Sequence, residues 1–332
     1  MIPGFSIGHH TAAGEGWLTG TTVVLAGAGA VGGVDVRGGG PGTRETDLLS
    51  PVASMEQVHA VVLTGGSAYG LAAADGVMQA LEERGIGYPV RIIGGPQRTA
   101  VVPIVPAAVV FDLGRGGDIS HRPDDGFGRA AVAAAERAAA TGEPIPAMGN
   151  VGGGTGAASG GLKGGFGYAE TVVGPHRVAA AMVVNSVGSA ADPSGRLWAD
   201  TARRLPTPTA AEVAVLVEER RRHIPPLNTT IGVVLTDAVL TKPQATKLAQ
   251  VGHDGLARAI RPVHSMFDGD TIFCLASGRE PLGVDDLSRR MQLYELLAAA
   301  ADMVAEACLA AVLSAESVGD WRAYADLVHG VR

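Results

Sequence analysis

Apolar residues in this chain fall mostly in short runs separated by glycines, with fewer stretches at helical spacing. Residues 23–36 are small and apolar without a helical period, which predicts strands, and 58–63 predicts a buried strand. Residues 67–84 carry Leu71, Ala74, Val77, Met78 and Leu81 on one face and stop at Gly85, which predicts a helix. Short strands are expected at 90–93 and 107–111, and an alanine-rich helix at 127–140 ends at Gly142. A glycine-rich segment, 149–167, precedes a predicted strand pair at 168–173 and 178–185, whose turn contains Gly174-Pro175. Residues 210–222 read as a helix, 223–228 as a stiff extended connector, and 229–236 as a strand rich in β-branched residues. A helix at 245–260, a strand at 271–275 and one long or broken helix at 285–314 complete the pattern. Several strands follow one another without a crossover helix, which disfavours a doubly wound parallel sheet. The expectation is one α+β domain over residues 1–332, a layered sandwich of two sheets covered by helices.

Composition adds a core and removes some partners. Hydrophobic residues make up 46% and charged residues 18%, enough apolar material to pack most of the chain. A net charge of -7 with three lysines, Lys163, Lys242 and Lys247, offers no basic groove, so no nucleic-acid partner is expected. Cys274 and Cys308 lie in apolar runs and read as reduced, buried thiols. The start, Met-Ile-Pro-Gly-Phe-Ser, has neither a basic stretch nor an apolar h-region, and the expected location is cytoplasmic. The apolar stretch at 292–314 contains Glu295, Asp302 and Glu306, so it reads as a buried helix and no membrane span is expected.

Two motifs invite readings that their surroundings do not support. Gly27-Ala-Gly-Ala-Val-Gly32 matches a dinucleotide fingerprint, but the glycines, proline and valines that follow will not start the helix needed to hold a pyrophosphate. The segment 152–165 lacks the Gly-Lys-Ser/Thr ending of a phosphate loop, and the nine histidines show no ligand spacing. Neither a cofactor nor a metal is expected.

A different junction carries chemistry. A threonine that is itself an N-terminus has its own α-amine, of pKa about 8, within reach of its hydroxyl as a base. A chain with an internal nucleophile of this kind must cut itself just before that residue. Pro225-Pro-Leu-Asn228 followed by Thr229-Thr-Ile-Gly-Val-Val-Leu-Thr236 has the form required: a stiff connector, a small residue, then threonine opening a strand. By itself this is also how an ordinary turn enters a strand.

Five segments together resemble the L-aminopeptidase/D-esterase (DmpA-type) family of N-terminal-nucleophile hydrolases, which includes β-aminopeptidases and nylon-oligomer (6-aminohexanoate oligomer) hydrolase. They are Val34-Asp-Val-Arg-Gly-Gly-Gly-Pro-Gly-Thr-Arg-Glu-Thr-Asp47; Leu63-Thr-Gly-Gly-Ser-Ala-Tyr-Gly-Leu71; Gly149-Asn-Val-Gly-Gly-Gly-Thr-Gly-Ala157 with Lys163-Gly-Gly165; Val183-Val-Asn-Ser-Val-Gly188; and Asn228-Thr-Thr-Ile231 with Asp268-Gly-Asp-Thr271. The resemblance implies an αββα sandwich cut into chains 1–228 and 229–332. It implies Thr229 as nucleophile at an Asn228–Thr229 cleavage site and Asn185 as an oxyanion donor, a contribution of about 3 kcal/mol in such sites. It further implies Lys163 as a catalytic lysine near the nucleophile and Tyr69 as a pocket residue. Asp268 and Asp270, on one face of a strand, would orient the Thr229 amine and transfer protons.

The aminopeptidase branch typically has Gly-Ser at the junction and Ser-x-Glu where this chain has Asp-Gly-Asp. The present residues are more similar to the nylon-oligomer branch. The implied activity is hydrolysis of linear amides such as 6-aminohexanoate oligomers, with L-aminopeptidase, D-amino-acid esterase or β-aminopeptidase action as the alternative. The implied assembly is a homotetramer of processed protomers. Two rivals are an acyltransferase of the ornithine-acetyltransferase kind, whose Lys-Gly-x-Gly-Met run is missing here, and a non-catalytic binding protein with the same fold.

Overall fold

One strand sets the architecture of the computed structural model, which describes residues 1–93, 99–223 and 227–331. The first half of the chain forms β1 (Ser6–Gly14), β2 (Trp17–Val36), β3 (Thr43–Arg44), β4 (Gln57–Thr64), α1 (Ala73–Glu83), β5 (Tyr88–Arg91), β6 (Thr99–Val102), β7 (Ala107–Val109), α2 (Asp125–Thr141), β8 (Ala158–Ser159) and β9 (Leu162–Lys163). The second half forms β10 (Gly165–Val173), β11 (His176–Val184), α3 (Ala210–Arg222), β12 (Ile231–Ala238), α4 (Lys242–Ala259), β13 (Thr271–Glu280), α5 (Asp286–Ser314) and α6 (Tyr324–Leu327).

Strand β2 is 20 residues long; it pairs with β1 over Trp17–Leu25, with β4 over Thr21–Leu25 and again at Ala30 and Val31, and with β13 over Val31–Val36. Its register with β4 breaks between Leu25 and Ala30, where Gly27 and Gly29 take φ of +32° and +94°. The bend there carries the strand from one layer to the other, so the main sheet runs β10-β11-β12-β13-β2-β4-β7-β3 with β1 added on β2. Two separate sheets were expected; the two layers are one hydrogen-bonded sheet folded over itself. Gly27 to Gly32 lie inside this strand, and no helix follows them.

Three apolar clusters separate four layers. Val23, Leu25, Ala60 and Val62 pack on α1 and α2 through Val77, Leu81 and Val132. Val24, Val61 and Leu63 face the opposite way and meet Val183, Val233, Phe273 and Leu275 from the other sheet layer. Met182, Val184, Val234, Ile272 and Cys274 then pack on α4 and α5 through Leu248, Leu256, Leu296 and Val304. The alternation of neighbouring residues between clusters is the period-two geometry of a strand buried on both faces. Each Val, Leu or Ile placed this way contributes about 1.5–3 kcal/mol. The fold is therefore the expected α+β sandwich, helices outside and two sheet layers within. Helix α5 is 29 residues and apolar enough to span a membrane by composition, but its apolar face is built into the core against β10, β11 and α4. Cys274 and Cys308 are free and buried in the same layer.

Local signals account for several element ends. Thr209 with Glu212, Thr241 with Gln244 and Asp285 with Ser288 form reciprocal caps at the starts of α3, α4 and α5. Other expectations shift. The helix expected from residue 67 begins as a 3₁₀ turn, Ser67–Ala72, because Gly66 at φ +83° redirects the chain; α1 follows from Ala73. Strand β1 and the first residues of β2 were not anticipated. The connector Ile224, Pro225 and Pro226 lies outside the described residues.

One buried histidine gives a pH-dependent outcome. His253 is fully buried on α4, with Nε2 3.0 Å from the Asp35 carbonyl, and burial lowers its pKa to about 4. The unfolded chain takes up this proton near pH 6.5, whereas the folded chain resists until about 4. Stability contributed above pH 6.5 is thus lost as pH falls through that window. An NMR titration of the His253 ring is expected to show it neutral at pH 5.5; a midpoint near 6.5 would contradict the burial argument.

Candidate active site

The junction at 228–229 is held by strand register. Strands β12 and β13 run parallel, with Ile231 beside Thr271 and Gly232 beside Ile272. The same offset continues backwards to a bridge between Asn228 and Asp268. Asn228 N–H donates to the Phe267 carbonyl at 3.1 Å, and Gly269 N–H donates to the Asn228 carbonyl at 3.2 Å. The Thr229 hydroxyl donates to that same Asn228 oxygen at 2.6 Å. Thr229 N–H in turn donates to the Asn185 carbonyl at 2.7 Å. The carbonyl preceding Thr229 therefore accepts two donors, and the attacking-type oxygen sits beside it. Asn228 and Thr229 are 2% and 5% exposed, at the wall of a cavity of about 140 Å³ that Pro41, Ser67, Ala68, Phe111 and Phe267 also line.

Asn185 ends β11, and its side chain has a fixed orientation. Its Oδ1 accepts from Arg115 Nη1 at 2.5 Å and from Ala158 N–H at 3.0 Å. Two donors on one atom require that atom to be the oxygen, so the NH2 group faces the Phe111 carbonyl, 3.4 Å away, at the cavity wall. Lys163 is fully buried on β9, and its ammonium donates to the carbonyls of Gly154, Ala157 and Gly164 at 2.7–3.0 Å. Burial, then the charge of Arg115, lowers its pKa to about 7, while Asp112 pulls the other way. All three ammonium donors are spent on the glycine-rich loop. A relay links Lys163 to Thr229: it holds the Ala157 carbonyl, the next N–H holds Asn185, and the Asn185 carbonyl holds Thr229 N–H.

The aspartates lie just before β13, which starts at Thr271, in the stretch where the parallel pairing runs back to the Asn228–Asp268 bridge. Asp268 accepts from Val187 N–H at 3.1 Å, and its other oxygen accepts from the Ser265 N–H and hydroxyl. Burial raises its pKa, opposed by the Ser265 hydrogen bond. Asp270 accepts from Thr230 N–H at 2.8 Å and from His264 N–H and Nδ1 at 3.0 and 2.9 Å. Asp270 thus grips Thr230, the residue after Thr229. Tyr69 is not among the residues that line this cavity. It is 59% exposed in the 3₁₀ turn, with the Arg122 guanidinium 3.8 Å over its ring, and Ser67 and Ala68 take the place at the cavity that was expected of it.

Sequence reading missed Arg115, Gly269 N–H and His264. Arg115 follows the apolar run ending at Phe111, in Asp112-Leu-Gly-Arg115, and nothing local marks it as part of a site 113 residues from Asn228. Among the described residues no group of three His, Cys, Asp or Glu side chains is placed to hold a metal.

Comparison with known proteins gives the family. Residues 2–323 match the model of peptidase family S58. The chain is 46% identical to an uncharacterized aminopeptidase of Mycobacterium leprae, covering 99% of this chain and 93% of that protein. It is 31% identical to the 6-aminohexanoate-oligomer endohydrolase of Paenarthrobacter ureafaciens, covering 95% and 84%. Its fold is similar to a Burkholderia β-aminopeptidase, with a TM-score of 0.68 and 22% identity over 98% of this chain and 90% of the other. It is also similar to the L-aminopeptidase D-Ala-esterase/amidase of Ochrobactrum anthropi, described as a variant of the Ntn-hydrolase fold, with a TM-score of 0.65 and 19% identity over 97% and 88%.

Proposed function

The chain belongs to peptidase family S58 and is a peptide or amide hydrolase; from that premise we propose that it cuts itself between Asn228 and Thr229 and then uses Thr229 as an N-terminal nucleophile on linear amides and short peptides. The observation that carries this reading is the Asn228 carbonyl, held by Gly269 N–H with the Thr229 hydroxyl 2.6 Å from its oxygen. In the precursor, Thr229 Oγ attacks the Asn228 carbonyl carbon. The Gly269 N–H stabilises the charge that develops on oxygen. The C–N bond breaks, the hydroxyl proton passes to the departing nitrogen, and Asn228 is left as an ester on Oγ. Water hydrolyses that ester, giving an Asn228 carboxylate and a free Thr229 amine.

In turnover the amine, anchored at the Asn185 carbonyl, takes the Oγ proton as Oγ attacks the substrate amide. The NH2 of Asn185 stabilises the oxyanion. Asp268 and Asp270 hold the segments at Val187 and Thr230 beside the reacting atoms. Lys163 keeps the glycine-rich loop in register. The Asn-Thr junction and Asp-x-Asp motif support activity on 6-aminohexanoate oligomers; the names of the relatives at 46% and 44% identity favour aminopeptidase action as the second reading.

Intact mass and N-terminal sequencing test the cleavage: two chains are expected, the smaller beginning Thr-Thr-Ile. The two should stay together, since β12 and β13 lie inside the sheet with β11 on one side and β2 on the other. Co-elution without denaturant, and separation only in it, is the expected outcome. Light scattering then tests the homotetramer that the resemblance implies. Gly269→Ala should slow cleavage about tenfold or more, because its Cβ would lie 2.5 Å from the Gly40 carbonyl oxygen and 2.8 Å from Thr229 Oγ. Unchanged cleavage kinetics on denaturing gels would remove Gly269 from the site.

A further inference from the structure

We infer that the place occupied by the Asn228 side chain is the acyl-side subsite of the mature enzyme, with Arg115 as its specificity-determining residue, and that it selects acyl residues carrying a carboxylate or carboxamide on the β-carbon. The inference rests on Thr229 being the nucleophile, and it adds what that nucleophile prefers.

The argument begins with the two esters. Self-cleavage leaves residue 228 esterified to Thr229 Oγ, and turnover leaves the substrate acyl residue esterified to the same atom. Both esters are opened by water in the same surroundings, so the side chain of residue 228 marks where the substrate's acyl side chain goes. In the uncut chain that side chain is polar and buried. Arg115 Nη2 donates to Asn228 Oδ1 at 2.8 Å, whereas Asn228 Nδ2 is buried without a hydrogen-bond partner. The subsite thus presents a donor and offers no acceptor, a match for a carboxylate even more than for a carboxamide.

Arg115 is not free to turn elsewhere. Its other terminal nitrogen donates to the Gly156 carbonyl at 2.7 Å and to Asn185 Oδ1 at 2.5 Å, and its guanidinium lies 5.1 Å from the Trp321 ring centre. Once residue 228 leaves, Nη2 faces an emptied site in a setting where burial lowers the Arg115 pKa to about 10. An aliphatic acyl group would leave that donor unsatisfied, and an acceptor at the same position restores the bond. Sites built around such a bond discriminate strongly against ligands that lack it. The subsite therefore ranks aspartyl and asparaginyl amides above alanyl, leucyl and 6-aminohexanoyl ones.

Two arms test this on the full chain. In the first, the self-cleavage rates of Asn228→Asp, Asn228→Ala and Asn228→Leu are followed by intact mass. Asn228→Asp is expected to cut at least as fast as wild type, and the other two about 10–100-fold more slowly. In the second, the processed wild-type enzyme is assayed on aspartyl, asparaginyl, alanyl and leucyl p-nitroanilides and on a 6-aminohexanoate oligomer. The kcat/KM for the first two should exceed the rest about tenfold or more, and Arg115→Met should erase that ratio even where overall activity falls. A structural role for Arg115 would lower all substrates together and keep the ratio. Equal cleavage rates for the Asn228 variants, a flat substrate panel from fully cut enzyme, or an undiminished ratio in Arg115→Met overturns the subsite while leaving the nucleophile intact. A wild-type chain that stays whole overturns the nucleophile and the subsite with it.

Discussion

Thr229→Ala is expected to run as one 33.6 kDa band and to lose amide hydrolysis by about 10⁴-fold or more. The magnitude follows from removing the nucleophile in both reactions at once: without Oγ there is no ester at Asn228, no free amine at residue 229 and no acyl-enzyme. Fold should survive, because the Thr229 contact with Asn185 is made by the main-chain N–H, and among the described residues the hydroxyl bonds to its own preceding carbonyl. Thr229→Ser keeps the hydroxyl and should still be cut. Two bands from Thr229→Ala would refute the chemistry; a single band with full activity would refute the role of the new amine.

Asn185→Ala should lower kcat by about 10²–10³-fold, the range found when one oxyanion donor is removed. The structure also gives Asn185 a positioning role, since its Oδ1 joins Arg115 to Ala158. Asn185→Asp separates the two. Its carboxylate still accepts from Arg115 and Ala158 N–H, but presents an oxygen where the NH2 group faced the Phe111 carbonyl. If NH2 donation is the main contribution, Asn185→Asp is as slow as Asn185→Ala, with its melting temperature near wild type. Recovery of activity in Asn185→Asp would leave only the positioning role. The relay through Ala157 and Ala158 also ties this site to Lys163, so Lys163→Met is expected to lower activity by loosening the loop.

The alternation of small apolar residues and the helix stop at Gly142 are local, and they were legible because strand period and helix-end chemistry depend on neighbours in sequence; the Asn228–Thr229 junction stood out only through its likeness to a family. Asp268 and Asp270 were legible as residue types through their likeness to a family pattern, but not as contacts. Their partners, Val187, Ser265, Thr230 and His264, depend on where β13 begins and how the loop before it folds. Tyr69 shows the same limit: Gly66 redirects the chain and leaves its ring under Arg122, a contact that the residues around it in sequence do not announce.

By itself, then, the order of residues determined the strand and helix faces that pack the core, since these follow from spacing along the chain, and it singled out the Asn228–Thr229 bond through likeness to a family pattern. Which groups surround that bond was decided by tertiary structure. The parallel register of β12 and β13 puts Gly269 N–H on the Asn228 carbonyl, 41 residues away. The fold of the first half brings Arg115 to Asn185 and Asn228 across 70 and 113 residues. A hydrogen bond of about 3 Å between such distant residues leaves no periodic trace, because it is set by the packing of whole strands and not by the spacing of side chains within one.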